Sequence, residues 1–544
     1  MKTPILGQSY VARSINAADN RMVNLFPEAT PENGKTIGYL NRAPGLRFLQ
    51  SVGTGPIRGL WAHQSPGSNA YVVSGNGFYS INANYNVTYL GAISGSGPVS
   101  ISDNGVQIFI AANPFGYIYN MNTGAFGQIT DPDFPGAVTV GYLDGYFVFN
   151  EPNSQRVWVT ALLDGTSIDP LAFASAEGSP DGLVCLNIDH REAWLFGTDS
   201  VEVWYDAGNA GFPLERIQGA FNEIGCVAPY SVAKLDNALF WLGTDARGQG
   251  IVYRNQGYTG VRISTHAVEY AIQNYSTISD AIAYTYQQEG HAFYVLIFPT
   301  ANATWVYDVA TGAWHERASW ENNGYIRHRS NCQMNFNGTI VVGDFENSNI
   351  YAFDLDTYSD NGAPQTWVRS WRALLPNTNN LTRTAQHSLQ LDCETGVGLN
   401  LYPAYDGEGL LTETGDSIIA EYVQNNIATE SGNIMTTEAG DILVDIADFP
   451  SEWSPPEYLY TESYPAAPGY DPQVMLRWSD DGGHTWSNEH WKSMGKIGNY
   501  GYRTIWRRLG MTEKIRDRVY EVSGSDPVKL AIMGAELLLS DTNG

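Results

Sequence analysis

From Ile57 onward the chain repeats one pattern of apolar and polar positions. A run of apolar residues leads into a turn rich in Gly, Asn, Asp or Pro, and a second short run ends on an aromatic residue. The first runs begin at Ala70, Gln107, Tyr146, Ala193, Ala238, Ala292 and Thr339. The second runs close on Tyr79, Tyr119, Trp158, Trp204, Tyr253, Tyr307 and Tyr351. Short runs of this kind between turn signals are strands, and each pair is a hairpin. The closing aromatics stand 39 to 54 residues apart, the spacing of β-propeller blades. One hairpin cannot bury both of its faces, so consecutive units are expected to stack around an axis, with the aromatics as packing core rather than ligand contacts. Seven units are visible. Six or seven blades are expected, because one unit could belong to a flanking domain.

Strict alternation returns after the repeats. It is seen at Gln365–Trp371, Gln386–Asp392, Val474–Trp478, Tyr502–Leu509, Asp517–Val522 and Val528–Met533. Such period-two segments are half-buried strands, and together they predict a β-sandwich. The expected organisation is an extended N-terminal segment over 1–55, a propeller over 56–356, a sandwich from 357–405 plus 473–544, and an insertion over 406–472. Helix is expected only near Ala267–Tyr275 and, briefly, near Ile278–Tyr284. The chain is thus predicted to be all-β: a six- or seven-bladed propeller followed by a platform-like sandwich.

Charge refines the picture. The net charge is −27, which excludes a general basic surface for nucleic acid. It is unevenly placed: from Thr384 through Leu476 there are 16 acids and no Lys or Arg, whereas 477–544 holds 10 bases and 9 acids. Within the acidic stretch the turn-like runs Thr412–Asp416, Thr429–Asn433 and Thr437–Asp441 predict a narrow β-ribbon, with a solvated loop as the other reading. The start of the chain has no apolar run of a secretory signal, and no segment approaches the ~18 apolar residues of a membrane span. No membrane anchor and assembly in a cytoplasm are therefore expected. Cys185, Cys226, Cys332 and Cys393 lie far apart without metal-ligand spacing and read as small buried residues.

Candidate chemistry is sparse. Asp354, Asp356 and Asp360 could suggest calcium, but they miss the EF-hand spacing and Tyr358 occupies a ligand position, so a polar linker turn is expected. His484 and His490 flank a turn and read as solvent-exposed. The sequence contains no G-x-S-x-G, H-E-x-x-H, P-loop or dinucleotide fingerprint. One motif stands out: Ser479, Asp481, Gly483, Thr485 and Trp486 have the Ser-x-Asp-x-Gly-x-Thr-Trp spacing of an Asp-box, a hairpin turn whose carboxylate accepts bonds from loop N–H groups. A sialidase-like glycoside hydrolase would carry several such boxes on successive blades and an arginine cluster. This chain has one, placed after the repeats. The motif is expected to stiffen a turn, with Asp481 serving folding. A carbohydrate- or protein-binding propeller is the alternative, and a glycosidase a more distant one. No cofactor and no catalytic or metal residue is expected.

The sequence resembles the packaged-DNA stabilisation, or tail hub (nozzle), proteins of short-tailed bacteriophages. The resemblance is carried by Ser9–Ser14 with Asn24–Glu28, Gly38–Leu40 with Ala43–Leu46, the linker Asp354–Asn361, and Ser479–Trp486 followed by Trp506–Gly510. It implies a non-enzymatic virion protein that forms a ring, a hexamer, below the portal–adaptor complex. The ring would extend the DNA conduit, retain the genome and anchor tail spikes or fibres and a needle. Double-stranded DNA would pass an acidic lumen without sequence-specific binding. Under this reading Arg503, Arg507, Arg508, Arg516 and Arg518 are candidate subunit or partner contacts, with the wet face of a sandwich strand as their other reading.

Overall fold

In the computed structural model the described residues are 1–63, 67–176, 178–244, 250–374, 383–397, 410–411, 417–418, 435–436, 442–443, 469–512 and 518–541. The chain divides into two compact units, one formed by Met1–Glu394, Gln473–Lys492 and Arg503–Gly544, the other by Thr395–Pro472 and Ser493–Tyr502.

The first unit contains seven blade sheets. Blade one is Ile57–Ala62, Ala70–Ser74, Gly77–Ile81 and Val87–Ala92, paired antiparallel in order. Blades two to four repeat this plan over 100–128, 140–175 and 183–222, and blade five, over 225–262, splits its innermost strand in two. Blade six is Ile282–Gln288, His291–Phe298, Ala303–Asp308 and Ala313–Glu316. Blade seven has three strands of its own, Ser330–Phe336, Thr339–Asp344 and Asn349–Asp354. Its fourth is the N-terminal strand Gly45–Ser51, which pairs antiparallel with Asn349–Asp354.

Every closing aromatic of the sequence repeat lies on the third strand of its blade. Each also falls in a different apolar cluster: Tyr119 between blades one and two, Trp158 between two and three, Trp204 between three and four, Tyr253 between four and five, Tyr307 between five and six, Tyr351 between six and seven. Tyr79 packs on the last cluster, where Ile57, Val72 and Ile81 of blade one meet Phe336, Val341 and Ile350 of blade seven. The ring of blades is therefore closed by apolar packing, and the count is seven.

The sheet of blade six does not stop at its fourth strand. Met22–Val23 pairs parallel with Ala313–Glu316 and antiparallel with Trp367–Arg372. The sheet continues through Val519–Gly524 and Gln473–Ser479 to the edge strand His490–Ser493. A second, five-stranded sheet has the order Leu25–Ala29, Gly38–Arg42, Ala531–Asp541, Thr384–Cys393, Thr504–Arg507. Trp371 and Tyr520 are cross-strand partners on the first sheet with rings 6.0 Å apart, and the Tyr520 hydroxyl crosses to donate to Gln386 of the second sheet. This is the β-sandwich.

Residues 1–55 are thus stitched into both domains. Asn24 is buried with φ 54°. Its Nδ2 donates to the carbonyls of Ala318 (2.7 Å) and Thr366 (2.8 Å), and its Oδ1 accepts from the Ala318 N–H at 3.0 Å. Arg369 is buried and donates to the Ile5 carbonyl at 2.6 Å; burial pushes its guanidinium down to about 9. Arg42 is also buried, and its guanidinium donates to Gln365 and to the carbonyls of Asp526 and Val528. Arg21 pairs with Glu316 at 2.9 Å. These hydrogen bonds satisfy groups that would be expensive to bury alone, and Glu316 also balances the charge of Arg21.

Among the described residues one helix occurs, His266–Gln273, capped by the Thr265 side chain, which accepts from the Val268 N–H. The helix expected near 278–284 is not there. Ile282–Gln288 is instead the first strand of blade six, with Ile282, Tyr284 and Tyr286 buried on one face. Period two won over the short apolar run. Most of the acidic stretch 406–472, including Thr429–Asn433, lies outside the described residues. Of the second unit, Leu410–Leu411 pairs with Ser417–Ile418 and Met435–Thr436 with Ile442–Leu443. Elsewhere in that unit the Ile497 N–H donates to the Tyr470 carbonyl at 3.1 Å.

Candidate functional site: the platform turn and its basic cleft

The strand Gln473–Ser479 of the sandwich delivers the Asp-box turn. Trp478 fixes its base, because its N–H donates to Ser487 Oγ at 3.0 Å and its carbonyl accepts from the Ser487 N–H at 2.8 Å. Inside the turn, Asp481 Oδ1 accepts from Ser479 Oγ (2.6 Å), the His484 N–H (2.9 Å) and the Thr485 N–H (2.8 Å), while Oδ2 accepts from Thr485 Oγ1 (2.7 Å). Ser479 Oγ in turn accepts from the Gly483 N–H at 2.8 Å. Gly482 and Gly483 have φ of 79° and 107°, which a side chain tolerates poorly. Hydrogen bonds from the Ser479 and Thr485 side chains, then from the loop N–H groups, hold the Asp481 carboxyl well below the usual carboxylate range. The carboxylate is fully engaged with its own loop, so it is placed to shape the turn rather than to transfer a proton. Trp486 stacks under Arg477, whose guanidinium carbon lies 4.7 Å from the ring centroid.

The next residue back, Asp480, carries the link to the core. Arg518 is 2% exposed, and its fork meets both Asp480 oxygens at 2.6 and 2.7 Å. Another Arg518 nitrogen donates to the Leu509 carbonyl at 2.7 Å, and the guanidinium lies over the Trp478 ring. Arg518 was among the candidate partner contacts. Burial and complete internal engagement correct that: it is a brace between the turn and the 509–511 loop. Arg516 lies outside the described residues.

Arg503, Arg507 and Arg508 are brought together. With Lys492 they line an open cleft of about 730 Å³ whose apolar walls include Trp478, Trp491 and Trp506. Arg503 donates to Gln390, and Trp506 is anchored by its indole N–H to the His490 carbonyl at 2.8 Å. His490 is exposed and stacks on Trp478 with ring centroids 4.7 Å apart. Trp491 is 56% exposed. Sequence reasoning picked out the arginines but missed Lys492 and Trp491. They are adjacent on the four-residue edge strand His490–Ser493, which has no burial alternation that would have marked them.

The remaining candidates are internal. Asp354 pairs with Arg47 at 2.9 Å, and Asp360 is buried, accepting from Ser319 Oγ at 3.2 Å. The four cysteines are free thiols, three buried and Cys332 half-buried. Among the described residues no group of three or more His, Cys, Asp or Glu side chains is placed to hold a metal ion. Among the described residues no helix is long and apolar enough to cross a membrane.

A closed seven-bladed propeller fused to a sandwich, with its one Asp-box spent on a turn, defines a β-propeller and β-sandwich protein. The sequence comparisons agree. The β-propeller family model of bacteriophage P22 Gp10 matches residues 1–358, and the β-sandwich model of the same protein matches residues 462–539. The chain belongs to this bacteriophage P22 Gp10 family of tail hub and stabilisation proteins. It is a structural component of the phage tail. No curated protein matches the chain. Similar solved structures include virginiamycin B lyase from Staphylococcus aureus (12% identity over 55% of this chain and 94% of that one, TM-score 0.37) and the N-terminal domain of Nup159 (9%, 62% and 100%, TM-score 0.36). The extracellular domain of the one-component system BT4673 from B. thetaiotaomicron is another (11%, 89% and 58%, TM-score 0.39). At such TM-scores these likenesses carry no argument about function.

Proposed function

We infer that the protein is the tail hub, or nozzle, of a short-tailed phage: a homo-oligomeric ring, expected as a hexamer, attached below the portal–adaptor complex. It would extend the DNA conduit, retain the packaged genome, and anchor tail spikes or fibres and the needle. It would be assembled in the host cytoplasm and carry no enzymatic activity. The observation that supports this most is the family match, which covers the propeller and the sandwich alike. The charge is compatible with it. A chain of net charge −27, repeated around one axis, presents a field that repels phosphates, so DNA could be contained without adhering. A glycan-cleaving reading loses its main support, because Asp481 is committed to its own turn.

The test is electron microscopy of the purified protein, alone and with its adaptor complex. A ring with an axial channel is expected. A protein that stays monomeric and does not join the adaptor would overturn the reading.

A further inference from the structure

The basic cleft is out of keeping with the rest of the chain. Lys492, Arg503, Arg507 and Arg508 line it with Glu489 as the one acid among its lining residues, in a protein of net charge −27. No carboxylate lies within ion-pair distance of Lys492, Arg507 or Arg508 among the described residues. The cations stand beside exposed Trp491 and the Trp478–His490 stack. A surface that joins guanidinium groups with no carboxylate partner among the described residues to open aromatic faces fits a segment carrying carboxylates and aromatic side chains together. Among the described residues the walls belong to 478–492 and 503–509.

The chain contains such a segment. Glu452-Trp-Ser-Pro-Pro-Glu-Tyr-Leu-Tyr-Thr-Glu462 has three carboxylates, three aromatic residues and no base, within a longer stretch that has no Lys or Arg. We propose that the cleft receives segment 452–462 of a second copy of this chain. The proposal rests on the ring reading and gives it a contact. A cleft on one copy filled by a different segment of the next is a heterologous interface, and heterologous interfaces close into rings when the rotation allows. The charges run in the right sense for that: each copy offers a basic acceptor and an acidic donor.

Two measurements test it. A fluorescent peptide of residues 450–464 is titrated into the full-length protein and into R507E/R508E. The expected result is a Kd raised at least about tenfold in the variant, and wild-type binding that weakens as salt is added. Arg508 has φ 61°, so Arg507→Glu alone, at the end of the regular strand Thr504–Arg507, guards against a backbone effect and should weaken binding in the same direction. Equal affinity for wild type and both variants overturns the proposal.

The second measurement mixes two full-length chains. One is R507E/R508E, and the other is E452Q/E457Q/E462Q. Each alone should fail to form rings, whereas the mixture should give discrete heterodimers, because one copy retains the acids and the other the cleft. Rings formed by either variant alone would overturn the docking while leaving the ring reading standing. Variants that stay separate when mixed would overturn it in favour of docking within one chain or onto the adaptor. If wild-type protein forms no ring, the ring reading fails, and the peptide titration still decides the contact.

Discussion

Asn24 is the residue on which the joint between propeller and platform can be tested most sharply. Its side chain makes three hydrogen bonds to backbone groups of Ala318, just past the last strand of blade six, and of Thr366, just before the platform strand Trp367–Arg372. All are buried. Asn24→Ala would strand two carbonyls and one N–H, each worth about 1–2 kcal/mol when left unpaired, so the loss should be about 3–6 kcal/mol. Alanine also suffers from the left-handed φ of 54°, which adds ~1 kcal/mol. Asn24→Gly keeps the first loss and removes the second, so it should fall between alanine and wild type. Asn24→Asp keeps the acceptor for Ala318 but turns a carboxylate toward two carbonyl oxygens, and it should be at least as damaging as alanine. The assay is urea unfolding followed by tryptophan fluorescence, read at the first transition because a chain this large need not unfold in one step. Alanine and glycine variants both within about 1 kcal/mol of wild type would refute the reasoning, as would an aspartate variant of native stability.

Other expectations follow from buried charge and from the turn. Burial pushes the Asp360 carboxyl up to about 6, with the bond from Ser319 acting in the opposite direction, so folding favours its proton and its contribution is lost as pH rises through that value. Asp360→Asn should therefore gain stability relative to wild type between about pH 4 and about pH 7, by up to ~3 kcal/mol, and a flat difference across that range in paired denaturation curves would count against it. Arg518→Met should destabilise by about 2–3 kcal/mol, at the low end for a broken buried pair because Asp480 stays 26% exposed; thermal unfolding checks this, and Asp480→Asn, which leaves the more deeply buried guanidinium without its counter-charge, should cost at least as much. Asp481→Ala should leave the fold intact but expose the His484 and Thr485 amides, so hydrogen exchange should accelerate at those two positions and leave the Val519–Gly524 ladder protected.

The parts of the fold that are written locally were legible. A blade hairpin is encoded within about 20 residues, and the aromatic that ends it must fill the gap to the next blade, so the positions of Tyr119, Trp158, Trp204, Tyr253 and Tyr351 could be read directly and fell in the clusters expected of them. Long-range pairing was not legible. Met22–Val23 is two residues long, and its partners lie about 300 residues away at Glu316 and Val368, so no local period marks it. The same holds for Gly45–Ser51, whose role as the fourth strand of blade seven also hid the blade count. At the candidate site the Asp-box could be read because every bond in it spans four residues or fewer. The arginines could be counted but not sorted. Arg507 and Arg518 sit in similar alternating runs, and only the sheet they join decides that one meets solvent and the other Asp480.

The order of the second platform sheet has a consequence for how the protein becomes competent. Its middle strand, Ala531–Asp541, is the last strand in the chain, and it separates the N-terminal hairpin Leu25–Arg42 from Thr384–Cys393. The beginning of the chain is tied to the same strand, since the Thr3 N–H donates to the Ala535 carbonyl at 2.9 Å and the Leu537 N–H donates to the Met1 carbonyl at 2.8 Å. Without it, Gly38–Arg42 and Thr384–Cys393 lose the neighbour they share, and backbone groups on both strands are left unpaired within the sheet. A chain that stops after Lys529 should therefore keep the seven blades, whose pairing does not involve this strand, and lose the platform. Circular dichroism should show most of the strand signal retained, and limited proteolysis should remove 384–529 while sparing 45–354. A truncated chain that resists proteolysis across Thr384–Cys393 would show that the platform does not depend on its central strand.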